Sequence, residues 1–233
     1  MAKQDELIAI QAQHNVYIQK LAAQYSNDDL PFIKVMQAEI AARLELEVGR
    51  NLTPKRREKL LHDINDIVTV NLRDYTKSLS KSNIELGGYE AAFQAKSLNA
   101  MVAVETVAPS QSDVNKAAKT TLIKLGDGAY TSYSQMLQRY YKSNAEQITN
   151  IVGQGFQSGV STRDIIKDVM SEVDNRIVKT KKEAKRIAIT GTNHYANQAR
   201  KAYFDNEDIV IGTRRIATID SATSGYCRGV DNT

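Results

Sequence analysis

Only three prolines interrupt this chain, Pro31, Pro54 and Pro109. A proline inside a helix removes a hydrogen bond and clashes with the preceding turn, so their scarcity leaves room for long helices. Apolar residues use that room at helical spacing. Leu7, Ile10, His14, Tyr17, Ile18, Leu21 and Tyr25 recur every three or four residues and form one stripe. The polar run at residues 26–29 ends it, with Asp29 placed to cap a second helix and Pro31 suited to its first turn. Ile33, Met36, Ile40, Leu44 and Val48 then share a side until Gly49 and Asn51. Thr53 and Pro54 start a third helix, in which Leu61, Ile64, Val68, Leu72, Tyr75 and Leu79 repeat at near-heptad spacing. Gly87-Gly88 is expected to break it, with a separate Ala-rich helix from about residue 89 to 104.

Residues 105–112 collect Pro and small polar side chains and read as a linker. Beyond it, a short helix over about 113–125 is expected to end at Gly126-Asp127-Gly128. A long helix follows, burying Tyr133, Leu137, Tyr140, Tyr141, Ile148, Ile151, Val152 and Phe156. Gly153, Gly155 and Gly159 loosen its end. Ser161 with Asp164 resembles a capping box for a short helix carrying Ile165, Ile166, Val169 and Val173. A further helix over about 176–204 is basic in its first half and Ala-rich in its second. The tail turns β-branched, and strands are expected at 209–211 and 215–219, paired about Gly212. The fold expected is mainly α: an elongated helical bundle over 1–108, then a small α+β module over 109–233 with a short β-hairpin.

Several function classes lose ground on composition. Cys227 is the only cysteine, so neither an intrachain disulfide nor a Cys-based zinc site can form, and synthesis in a reducing cytoplasm fits. The first residues are charged and lack the apolar core of a secretory signal, and no run approaches the length that spans a bilayer. His14, His62 and His194 lie far apart without H-E-x-x-H spacing, and His14 sits on an apolar stripe as a packed core histidine does. The glycines at 153, 155 and 159 have the wrong spacing and context for a dinucleotide loop, and neither a P-loop nor a nucleophile elbow is present. Asp28-Asp29 reads as a capping or solvated pair, with nothing adjacent in sequence to perturb its titration. These absences argue against a self-contained enzyme and against any cofactor.

Two basic clusters stand out on a chain of net charge only +4. Lys55, Arg56 and Arg57 open one helix, while Lys179, Lys181, Lys182, Lys185 and Arg186 span two turns of another. Each reads either as a solvated helix face or as a surface for nucleic-acid phosphate. No aromatics interleave with them, which disfavours stacking on single strands.

From Gly159 onward the order of residues resembles the Mu F-like phage head morphogenesis (minor head protein) family. Gly159 and Ser161 match its helix start. Ile187, Ala188 and Thr190, followed by Asn193, Ala196, Asn197 and Ala199, match its central helix. Asp220, Thr223, Cys227 and Asp231 match its final turn. Ile189 and Gly191 stand where the family usually has Arg and Glu, and a glycine there suggests close packing or a kink. The family's later His- and Cys-containing segment has no counterpart, so its domain is expected to be cut short. The final turn also reads by itself as an Asx-type turn, with Asp220 accepting from following backbone N–H groups and Cys227 a small buried hydrophobe.

The resemblance implies a phage minor capsid protein acting in head morphogenesis, made in the host cytoplasm and residing in the virion, inside the capsid. Its implied partner is the portal protein. Scaffold, major capsid protein and packaged double-stranded DNA are further candidates, and no membrane is involved. The competing expectation is a helical nucleic-acid-binding protein unrelated to heads; a nuclease or delivered effector is a third class, and it lacks a metal motif.

Overall fold

A computed structural model of the chain describes residues 2–102, 105–126, 128–156 and 161–207. They form six helices and one small hairpin: α1 (Ala2–Tyr25), α2 (Leu30–Glu45), α3 (Pro54–Met101), α4 (Gln111–Thr120), β1 (Ile123–Lys124), β2 (Tyr130–Thr131), α5 (Tyr133–Gly155) and α6 (Arg163–Phe204). The protein is mainly α, a bundle of long helices with a two-stranded antiparallel hairpin. That hairpin pairs Ile123 with Thr131 and Lys124 with Tyr130. It begins where the end of the short helix over about 113–125 was expected, while the hairpin expected about Gly212 falls outside the described residues.

The start signals in the sequence work as chemistry. Thr53 Oγ1 accepts from the Arg56 N–H, with Pro54 as the first helical residue, where its missing donor costs nothing. Ser132 and Gln135 exchange side-chain and backbone bonds in a full capping box at the head of α5. Two expected caps are corrected. Thr162, not Ser161, caps α6, accepting from the Ile165 N–H. Ser161 is buried and its main chain is already committed, donating to the Arg50 carbonyl (3.1 Å) and accepting from Gly49 (2.8 Å). Asp29 stands at the N-cap of α2 but makes no cap bond, because its side chain is turned into the bundle.

A main apolar core joins α2, α3, α5 and α6, and two smaller clusters, Ile18 with Leu86 and Ala196 and Val114 with Ala91 and Ala199, bring α1 and α4 against α3 and α6. Leu60, Ile64, Val68, Leu72, Tyr75 and Leu79 of α3 meet Ile33, Met36, Ile40 and Leu44 of α2, Tyr140, Ile148 and Val152 of α5, and Val169, Val173, Ile177 and Ala184 of α6. Leu60 takes the inward place, and Leu61 is half-buried beside Gly153. Each fully buried side chain of this kind contributes about 1.5–3 kcal/mol. The cluster draws on both sides of position 108, and the segment before α4 lies against the bundle: Thr106 is buried, bonded to Asn99 and to the Tyr203 hydroxyl.

Two helices are longer than the sequence suggested. α3 runs through Gly87-Gly88 without interruption. The glycines serve close approach rather than termination: a Cβ at Gly87 would meet Val114 Cγ1 at 2.9 Å and one at Gly88 would meet Gln111 Cγ at 3.2 Å, so both clear a path for α4. α6 is likewise continuous from Arg163 to Phe204, because nothing near Arg176 breaks a helix and Val169, Val173, Ile177 and Thr180 keep its inner face in step. Gly191 resolves the same way. A Cβ there would overlap the ring of Tyr133, whose hydroxyl accepts from Asn83 (2.9 Å). Gly191→Ala should therefore lower stability by about 1–3 kcal/mol, although alanine is the better helix former by about 1 kcal/mol. Urea denaturation checks this, and a gain in stability would refute the packing role.

Candidate nucleic-acid interface and buried polar clusters

The α6 cations are held outward by what lies beneath them. Ala184, Ile187 and Ala188 are buried against the core, which leaves Lys179, Lys182, Lys185 and Arg186 exposed on the other side. At 1.5 Å per residue they span about 10 Å of rigid helix. None of the four is in an ion pair among the described residues. Glu183, the one acid within the run, is taken by Arg176 (2.9 Å) and by Asn144 (2.8 Å). Asn144 also accepts from Arg176 (2.7 Å) and from Thr180 (2.6 Å), closing a buried knot that fixes α5 against α6. Lys181 is half-buried and its charge acts inward, on Asp29.

The α3 cluster is different. Arg56 binds Glu47 (2.6 Å), and Arg57 donates to the Gly153 carbonyl (2.6 Å) at the end of α5. Both guanidinium groups are structural, and Lys55 alone of the three is exposed. Glu47 explains the arrangement. Burial pushes its carboxyl up, but bonds and charge from Arg43 and Arg56 together outweigh burial and hold it below the usual range. Arg43 continues to Asp63 (2.8 Å), so the turn between α2 and α3 is a chain of paired charges.

Of the family-like positions, Ser161 ties the head of α6 to the α2–α3 turn. Thr190 and Asn193 are half-buried on α6, where Asn193 accepts from Gln19 of α1 (3.4 Å). Gly159, Asp220, Thr223, Cys227 and Asp231 lie outside the described residues.

Sequence reading missed the buried polar residues of α3. Glu90 has no exposure at all, yet receives Gln94 (2.7 Å) and Arg200 (2.5 Å) and pairs with His14 Nε2 at 2.6 Å. The His14 ring stacks on Phe93 at 3.5 Å between centroids, and Gln11 bonds Gln94 (2.9 Å). His14 is thus a paired core residue joining α1 to α3 and α6. Asn83 links Tyr133 with Thr192 (3.3 Å) in the same manner. The signal for these positions was the helical phase: Asn83, Glu90 and Gln94 continue the inward stripe of Leu72 and Leu79 with polar side chains. His194 meets the Ala118 carbonyl (2.7 Å), and His62 pairs with Asp66 on the surface. Among the described residues, no group of three or more His, Cys, Asp or Glu is placed to hold a metal ion, and no helix is long and apolar enough to cross a membrane.

Compared with known proteins, the chain matches no family model, no curated protein and no solved structure.

Two outcomes follow from the buried charges. Glu90→Ala strands Arg200 and His14 and should cost about 3 kcal/mol; hydrogen exchange should show α1 losing protection before the centre of α3. Asp29 departs from its reading as a capping or solvated acid, since burial lifts its carboxyl from 3.8 to about 6 against weaker opposition from its own N–H and Lys181. The folded chain therefore holds this proton more tightly than the unfolded chain does. The stabilisation is complete below the unfolded value and is lost as pH rises through about 6. Asp29→Asn should be more stable than the parent by about 1–3 kcal/mol at pH 8, with the difference vanishing near pH 4 in matched denaturation curves.

Proposed function

We propose that the chain is a phage minor head protein that acts by binding: it is carried inside the capsid with the portal protein and meets packaged double-stranded DNA through the outer face of α6. The observation that carries this reading is the exposed, unneutralised strip of Lys179, Lys182, Lys185 and Arg186. It stands on the same rigid helix as, and directly ahead of, Ile187, Ala188, Thr190, Asn193, Ala196 and Ala199, the residues in which the sequence resembles the head morphogenesis family. Lysine and arginine side chains fixed along a straight helix suit phosphate contact that is independent of base sequence. Their backbone is helical, so few degrees of freedom are lost on binding beyond those of the side chains.

Scaffold and major capsid protein are further candidate partners for the exposed helix faces. A helical nucleic-acid-binding protein unrelated to heads would share the DNA contact and lack the particle association.

Duplex DNA titrated by fluorescence anisotropy should show affinity falling steeply with salt. Replacing Lys179, Lys182 and Arg186 with alanine should reduce the slope of log K against log salt by about 2–3. An unchanged slope removes the α6 interface. Absence of the protein from purified particles and their precursors removes the head assignment, even where DNA binding survives.

A further inference from the structure

α2 is apolar on two opposite sides. Ile33, Met36, Ile40 and Leu44 fill the core with no exposure. Across the helix from them, Val35, Ala38 and Ala42 face solvent, and so does Leu46, which follows the helix with its backbone still helical (φ −62°, ψ −15°). At 3.6 residues per turn these four fall within about 80° of one another and form a straight seam on the outer face. Exposed alanine suits any solvated helix. Val35 at 51% and Leu46 at 57% exposure are larger apolar side chains left in water, one at each end of the seam.

The polar residues of α2 frame this seam. Gln37 donates to Asp174 of α6 (2.6 Å), Asn71 of α3 donates to Glu39 (2.8 Å), and Arg43 binds Glu47 (2.7 Å) and Asp63 (2.8 Å). Lys34 and Glu45 are exposed, and among the described residues neither makes an ion pair or a side-chain hydrogen bond. They carry opposite charges and lie along the same edge of the seam, three turns and about 16 Å apart.

A second copy of this face matches all of these features. Laid antiparallel about a two-fold axis, Ala38 meets Ala42 of the second copy, Val35 meets Leu46, and Lys34 meets Glu45, each pairing occurring twice. The three pairings share one register to within a residue. Alanines at the centre let the helix axes approach closely, and the larger side chains close the ends. In a parallel arrangement Lys34 would face Lys34 and Glu45 would face Glu45, so the charges select the antiparallel one.

We infer that the outer face of α2 is a self-association surface: two copies of the chain pair through antiparallel α2 helices, the seam of Val35, Ala38, Ala42 and Leu46 packing on itself while Lys34 and Glu45 bridge twice along one edge. A single pair of helices about 24 Å long is a small contact of the transient class, so the dimer forms with rising concentration rather than being permanent.

The test is sedimentation velocity of the full chain under reducing conditions, over a series from about 5 µM to about 1 mM. The parent's average sedimentation coefficient should rise across the series. Lys34→Glu and Glu45→Lys each set like charges against one another in both pairings, and each should weaken self-association about tenfold at low salt. The double variant Lys34→Glu/Glu45→Lys should recover the parent's behaviour. An equimolar mixture of the two single variants should also associate, because each chain then supplies the charge that the other lacks. Both positions are exposed and unbonded, so the fold tolerates either change. A parent sedimentation coefficient that stays constant with concentration would overturn the proposal. Self-association indifferent to both charge reversals would overturn it as well, since another face would then be in contact.

Discussion

Every other helix of the bundle rests against α3, and the fold depends on that helix running unbroken through Gly87-Gly88. Two missing side chains make the continuity useful. Val114 and Gln111 of α4 occupy the space that Cβ atoms would fill, and Tyr195 of α6 lies beside Gly87. A helix that ended at the glycine pair would leave α1, α4 and the second half of α6 without a common support. The helix-propensity cost of two glycines, about 1 kcal/mol each, is offset by the apolar surface that their absence of side chains lets the neighbours bury.

Along α3 the inward face changes character. From Leu60 to Leu79 it is apolar and meets the main core, and from Asn83 to Gln94 it carries amide and carboxylate groups bonded to Tyr133, Thr192, His14 and Arg200. The two halves do different work. Apolar burial supplies most of the free energy but is tolerant of register. A buried polar network is satisfied in one arrangement and costly in any other, so it selects the placement of α1 and α6 more than it stabilises them.

The legible part of the fold was the part written in apolar residues and in caps. Ile33, Met36, Ile40 and Leu44, or Ile64, Val68 and Leu72, announce their helix because the pattern and the packing are the same fact. Thr53-Pro54 and Ser132-x-x-Gln135 announce starts because each needs only its own neighbours. What sequence reading lost depended on distant chains. Gly87 and Gly191 are helix interiors only because Val114 and Tyr133 claim their space. Arg56 and Arg57 looked like a free basic cluster until Glu47 and the Gly153 carbonyl supplied partners from other elements. Asp29 looked solvated because nothing beside it in sequence would perturb its titration; the groups coupled to it, Lys181, Tyr75 and Tyr140, come from α6, α3 and α5.

The α6 cluster differs from the α3 cluster in this respect, and the difference bears on the proposed function. Both are runs of lysine and arginine on helical turns, but Arg56 and Arg57 are half-buried where Lys179, Lys182, Lys185 and Arg186 are exposed. Around Arg56 the fold brings an acid, Glu47, to Arg56 and a carbonyl, that of Gly153, to Arg57, so both guanidinium groups are engaged. Around Lys182 it does the reverse: Arg176 and Asn144 engage Glu183, the one acid within the run. A helix that only needed solubility would gain from keeping Glu183 among its lysines, since alternating charge suits a solvated face. Sequestering the acid leaves a concentrated positive field on one side of α6, with its cost in repulsion unpaid within the described chain. A polyanion would relieve such a field, and that is the physical argument for the phosphate partner we propose.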